Sequence, residues 1–194
     1  MITSTAGDIS LPAAAGWRNH LSALSADWHR MGELAQPVGL GFGAVAVYRL
    51  QRMARDGKPA FLWLPVRALL ALIWRLNGVL SGIRISSEAE IGPGLVIRHS
   101  GGIWVHRTTK IGSNCTMLHG VTIGESANGA GITIGDNVTL SVQATLVGHF
   151  SVGNNATVAA NTLVISDVPA GATAIGVPAK FLMGRPAAAK PATA

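Results

Sequence analysis

Charge is scarce in this sequence, and what there is lies unevenly along the chain. Only 12% of the 194 residues are Asp, Glu, Lys or Arg, and between Lys110 and Lys180 there is neither lysine nor arginine. A nucleic-acid binder needs a continuous basic track with aromatic or fork-shaped contacts along it. The C-terminal half has no such track, so no nucleic-acid partner is expected. Cysteine is nearly absent as well. Cys115 stands alone, which excludes an internal disulfide framework and a cysteine-rich metal site. No His/Cys/Asp cluster has ligand spacing, so no metal is expected, and no GxxxxGK phosphate loop occurs. The start of the chain lacks a charged residue leading straight into an apolar core and cleavage site. No signal peptide is therefore expected, and the chain reads as cytoplasmic.

Apolar residues are abundant at 48%, enough for a substantial core. Residues 1–84 hold nine of the Lys/Arg against four acids, and residues 85–194 hold six against five. The positive excess therefore belongs to the N-terminal region. One span there, Ala60–Leu80 ("AFLWLPVRALLALIWRLNGVL"), resembles a membrane helix. Pro65 interrupts it, and Arg67 and Arg75 lie inside it, where each arginine in a bilayer costs about 2.5–3.5 kcal/mol. It reads as a helix packed in the fold or between copies, with a helix on the inner membrane face as the second reading and a true span as the weakest.

Residues 1–84 are expected to form a small α-helical region. Ser25–Leu34 and Gly43–Arg55 are candidate helices, Asp56-Gly57 ends the second, and Pro59 opens the next apolar run. Residues 1–16 read as a loose leader and 181–194 as a tail. From Ile85 the period changes to six. Ile85, Ile91 and Ile97 are followed, after two extra residues, by Val105, Ile111, Met117 and Ile123. Five more extra residues intervene before Ile134, Leu140, Leu146, Val152, Val158 and Val164. Position five is usually small or short: Ala89, Gly101, Thr109, Cys115, Val121, Ala127, Val138, Ala144, Ala156 and Thr162. Self-similarity at fixed spacing marks stacked repeats, and six is neither a helix period nor a hairpin spacing. A short strand plus a turn, repeated around a coil that buries the aliphatic residue, fits it. Cys115, inward at position five, then serves as a small hydrophobe and not as a nucleophile.

This frame, together with "GLVIRHSGGIWVHRTTKIG…VTIGES" and the exit segment "AIGVPAK" (174–180), resembles the hexapeptide-repeat acyltransferases, in their serine O-acetyltransferase branch. The short helical region and "MLHGVTIG" look closer still to exopolysaccharide (colanic-acid-type) O-acetyltransferases. The resemblance implies a mainly β fold, a left-handed parallel β-helix over 85–180 preceded by the small helical region. It also implies acetyl-CoA as donor and a homotrimer, or a multiple of one, with active sites between prisms. His99 matches the family's catalytic histidine. A neutral imidazole suits deprotonation of a hydroxyl attacking a thioester. Three hexads make one coil, so His119, also at position three, should stack one rung from His99 and orient the acceptor. CoA is expected along the backbone of Ser141, Val142, Gln143 and Ala144 and of Ala159, Ala160 and Asn161, with its phosphates near Lys180 and Arg185. His106 reads as a surface residue.

Two departures shape the expected acceptor. Serine acetyltransferases usually place an Asp directly before the catalytic His and another about one coil earlier. Arg98 and Arg84 stand in those places, and the "RHP" of the long loop is missing from the shorter "ESANGAG" (125–131). An ammonium without a counter-charge is costly, whereas arginine pairs with carboxylate or phosphate. The expected activity is therefore acetylation of a sugar hydroxyl in exopolysaccharide or other surface-glycan synthesis. Arg98 and Arg84 would meet an acidic acceptor, and Glu88, Glu90 or Glu125 could orient His99. The alternatives are a serine O-acetyltransferase of cysteine synthesis and a non-enzymatic β-helix scaffold. Because the repeats bury their own core, removal of residues 1–80 is expected to leave a soluble prism.

Overall fold

The computed structural model describes residues 17–34, 39–57, 60–127 and 129–183. The leader 1–16, most of the tail and Arg185 lie outside them. Two α-helices, α1 (Trp17–Glu33) and α2 (Leu40–Asp56), lead through a 3-10 turn (Ala60–Trp63) into α3 (Leu64–Ser81). A parallel β-solenoid of about five turns follows. Its first coil is β1 (Ile83–Ile85), β2 (Glu90–Ile91) and β3 (Val96–Ile97). The second is β4 (Ile103–Val105), β5 (Lys110–Ile111) and β6 (Thr116–Met117). The third comprises β7 (Thr122–Ile123), β8 (Thr133–Ile134) and β9 (Thr139–Leu140), and the fourth β10 (Thr145–Leu146), β11 (Ser151–Val152) and β12 (Thr157–Val158). β13 (Leu163–Val164) and β14 (Ala172–Ile175) close the stack, and β15 (Lys180–Met183) returns antiparallel to β14.

The strands form three sheets, ordered β1-β4-β7-β10-β13, β2-β5-β8-β11 and β3-β6-β9-β12-β14-β15. Register follows the sixfold frame residue by residue. Ile85 pairs with Val105, Val105 with Ile123, Ile123 with Leu146, and Leu146 with Val164. Ile97, Met117, Leu140 and Val158 form the matching column in the third sheet. These aliphatic residues are buried, so each coil places one layer of branched side chains on the last.

Both extra segments are turns that leave the inward positions undisturbed. Gly101 and Ala127, expected at inward position five, lie on the surface, where Gly101 is half-buried and Ala127 exposed. Ile103 and Ile132 fill those places instead, each essentially buried. Each insertion bulges out before position five, and the next apolar residue takes the vacated slot.

The helices begin and end differently from the sequence expectation. α1 starts eight residues before Ser25, because its inner face contains His20, Ala23, Asp27 and Met31, a helical spacing in which half the residues are polar. Pro65 does not interrupt α3 but sits in its first turn, where a missing N–H costs nothing. Gly82 ends the helix at φ 67, and a Cβ there would lie 2.9 Å from the backbone N of Gly102.

The helical region and the solenoid share one core, which includes Ala44, Val45 and Tyr48 of α2. Gly41 lies so close to the first coil that a Cβ would stand 2.5 Å from the Ile97 carbonyl oxygen. Buried Arg49 pairs in two-point fashion with Asp27 at 2.8 and 3.1 Å, and donates to the carbonyls of Ile91 and Gly92. Asp27 in turn accepts from the Leu95 N–H. Arg30 donates to the carbonyls of Gly94 and Cys115, and the Tyr48 hydroxyl to that of Ala89. The helices thus satisfy the open polar end of the first coils. The solenoid does not end its own core, contrary to the expectation of a self-sufficient prism.

Candidate active site

The candidate residues meet along one corner of the solenoid, where the chain leaves the third sheet and enters the first. β3 delivers Arg98 and His99 to it, and β6 delivers His119. β9 leads into Ser141–Ala144, and β12 into Ala159–Asn161. Backbone hydrogen bonds stack these turns. Gly120 N–H donates to the Gly101 carbonyl, Gln143 N–H to that of His119, and Asn161 N–H to that of Val142. Gln143 and Asn161 adopt left-handed φ values of 56° and 54°, which turn the chain sharply through the corner. At the ordinary strand spacing, His99 lies about 14 Å along the axis from Asn161. Lys180 follows at the far end, exposed on the strand that pairs with β14.

His99 and His119 sit in neighbouring coils, with ring centroids 5.9 Å apart and planes at 69°. His99 is exposed and His119 half-buried. Among the described residues neither imidazole has a side-chain hydrogen-bond partner. The acids expected to orient His99 are engaged elsewhere. Glu88 pairs with Arg55 and Arg107, Glu90 with Lys110 at 3.5 Å, and Glu125 with His106 at 3.3 Å. His106 is therefore more than a surface residue: half-buried, it holds Thr108 Oγ1 on one ring nitrogen and Glu125 on the other. His106 and Glu125 follow consecutive strands of one sheet, but the sixfold pattern identifies aliphatic positions and gives no sign of such a polar pair.

Arg98 and Arg84 are exposed on different sheets. Arg98 continues β3 beside His99, its N–H bonded to the Met117 carbonyl. Arg84 lies in β1, its guanidinium 5.9 Å from the Trp104 ring. It borders a cleft of about 300 Å³ between helices and solenoid, with Gln51, Trp74, Trp104, His106 and Arg107. No sequence motif marks this cleft, because its walls come from α2, α3 and two coils. Cys115 is buried against the Gly135 carbonyl, and burial pushes its thiol pKa up to about 11. It stays a protonated, inward side chain. Among the described residues no cluster of His, Cys, Asp and Glu could hold a metal ion.

No family model matches the chain. Individual relatives do. A serine acetyltransferase of Helicobacter pylori is 36% identical over 145 residues, covering 73% of this chain and 81% of that protein. Serine acetyltransferase 2 of Arabidopsis thaliana is 35% identical over 147 residues, 73% of this chain but only 43% of its own length. Among solved structures, the Neisseria gonorrhoeae serine acetyltransferase in complex with serine superposes with a TM-score of 0.72 at 29% identity, over 85% of this chain and 69% of that one. A serine acetyltransferase complex with CoA gives 0.71 at 26%, over 85% and 70%.

These relatives overturn the expected sugar acceptor, and the exopolysaccharide resemblance finds no support among them. The error has a physical source. The sixfold frame reports the solenoid and not the acceptor, and the sugar expectation rests on the charge at positions 84 and 98, the short 125–131 loop and the likeness of the helical region and "MLHGVTIG". Arg84 has a local role instead, stacked on Trp104 at the wall of the cleft. The chain is an acyltransferase, not an inert scaffold, and it belongs to the serine acetyltransferase family.

Proposed function

We propose that this protein is a serine O-acetyltransferase that moves acetyl from acetyl-CoA to the serine hydroxyl. The observation that supports it most is the corner itself. There His99 is accessible to an acceptor and lies in line with the turns at Ser141–Ala144 and Ala159–Asn161. In this reading the pantetheine arm of CoA runs along those turns and its phosphates lie toward Lys180.

His99 takes the proton from serine Oγ as that oxygen attacks the thioester carbonyl carbon. The C–O bond forms, the C–S bond breaks, and the imidazolium returns its proton to the departing CoA sulfur, leaving O-acetylserine and CoA. No acyl-enzyme is involved, which agrees with a Cys115 thiol held protonated in the core. Arg98, exposed beside His99, pairs with the serine carboxylate, an interaction of about 1.5–3 kcal/mol for a charged hydrogen bond. His119 orients the acceptor from the next coil. An isolated chain leaves His99 open to water, and a homotrimer would cover it with a neighbouring prism.

The test is CoA release from acetyl-CoA in the presence of L-serine, with the product identified by mass. Serine-dependent release with O-acetylserine formed supports the reading. Acetyl-CoA binding without any serine-dependent release overturns it.

A further inference from the structure

We propose that the outward face of α3 is a membrane-binding surface that lies on the headgroup layer of an anionic bilayer. α3 is held to the fold by its inner stripe of Leu70, Trp74, Asn77, Gly78 and Ser81. Trp74 Nε1–H donates to the Ile85 carbonyl at 3.0 Å, and Arg67 to the carbonyls of Ala54 and Arg55. Among the described residues nothing packs on the opposite face. Leu64, Leu69, Leu72, Leu76, Val79 and Leu80 are each more than half exposed. A contiguous apolar surface of this length is rare on a soluble monomer and marks an interaction site.

Width and charge identify the occupant. Another helix packing on α3 would need only a narrow stripe, whereas exposed apolar residues cover most of this helix outside its inner stripe. At 3.6 residues per turn the outward arc centres on Leu72, Leu76 and Val79, and Arg75 stands on its flank. That is where an arginine can lay its stem on acyl chains and keep its head in the headgroup layer. α3 contains no Asp or Glu, and residues 39–84 carry Arg52, Arg55, Lys58, Arg67, Arg75 and Arg84, besides Arg49 buried on Asp27, against Asp56 alone. A second copy of this face would bring no acid to meet Arg75, but an anionic lipid surface supplies one. The helix is long and apolar enough to cross a bilayer. Crossing would nevertheless strip it from α2 and carry Arg67 and Arg75 into hydrocarbon. A helix lying on the surface keeps every contact it has.

The experiment is sedimentation of the full chain with vesicles of phosphatidylcholine alone or mixed with phosphatidylglycerol. The protein should pellet with the mixed vesicles and be released as salt is raised. Leu72→Glu/Leu76→Glu should lower vesicle affinity at least about tenfold, the effect of losing two apolar anchors, while keeping a wild-type thermal transition. Arg75→Glu, which leaves the apolar anchors intact, should weaken binding to the mixed vesicles alone. The proposal fails if the wild type ignores both vesicle types, or if the double variant binds like the wild type. It also fails if the double variant instead reduces the size of the assembly in solution, since the face would then belong to a second copy.

Discussion

His99 and His119 occupy the same position of the repeat in consecutive coils, and their surroundings differ. His99 stands open at the corner, where an acceptor hydroxyl can reach it, and His119 is half-covered one coil further on. His99→Ala should lower serine-dependent CoA release at least about a hundredfold, the usual reach of a general base, with CoA affinity nearly unchanged. His119→Ala should cost less. The reverse order in the same assay would exchange the two roles. Arg98→Ala should raise the KM for serine about tenfold with a smaller change in kcat, as expected when a binding contact to the carboxylate is lost. An unchanged KM would remove Arg98 from the site.

Cys115 gives a stability prediction at the same scale. Its folded pKa is raised by burial to about 11 from an ordinary 9.0. The folded protein thus holds the thiol proton more tightly than the unfolded chain does. That preference is fully present below about pH 9 and is lost as the pH rises toward 11, amounting to about 2–3 kcal/mol. Tyr48, also raised by burial, adds in the same direction at still higher pH. Cys115→Ala should keep most activity, and its stability should fall less steeply than that of the wild type over this alkaline range. Equal slopes in alkaline denaturation curves would show that the thiol titrates freely.

At the scale of elements, the solenoid was legible down to its register, and the helices only in their number and rough extent, for a physical reason. Every strand puts an aliphatic residue into the interior at a fixed interval, so Ile85, Ile91 and Ile97 reveal both strand and register. α1 meets α2 with His20 and the solenoid with Asp27 and Arg30, and apolar periodicity does not mark such a face. The role of α2 was equally hidden, since Arg49 looks like one more surface cation until Asp27 and the carbonyls of Ile91 and Gly92 are seen around it. Asp27→Ala would leave that guanidinium buried and unpaired, at a cost of about 3–5 kcal/mol. Thermal unfolding should show the loss directly. A change below about 1 kcal/mol would mean that the helical cap is not coupled to the solenoid. Removing residues 1–81 should for the same reason yield an aggregating or poorly cooperative chain. A truncated chain that melts cooperatively as a soluble protein would restore the self-sufficient prism.

Across the whole molecule, the repeat determines where chemistry can sit. Successive turns at one corner align His99, His119, Ser141–Ala144 and Ala159–Asn161 without any of them being neighbours in sequence. That alignment could be read from the sequence once the two-residue and five-residue insertions were recognised, because counting hexads places both histidines at position three. The acceptor could not, since it depends on side chains at the corner and not on the frame. The cleft beside Arg84 was hidden too, being assembled from helix and coil together. The most direct test of the account is a crystal structure of the protein with CoA and L-serine. The account predicts pantetheine along Ser141–Ala144 and Ala159–Asn161, with the serine hydroxyl about 2.6–3.2 Å from an imidazole nitrogen of His99. Serine bound in the cleft of Arg84 and Trp104, or CoA lying along another corner of the solenoid, would contradict it.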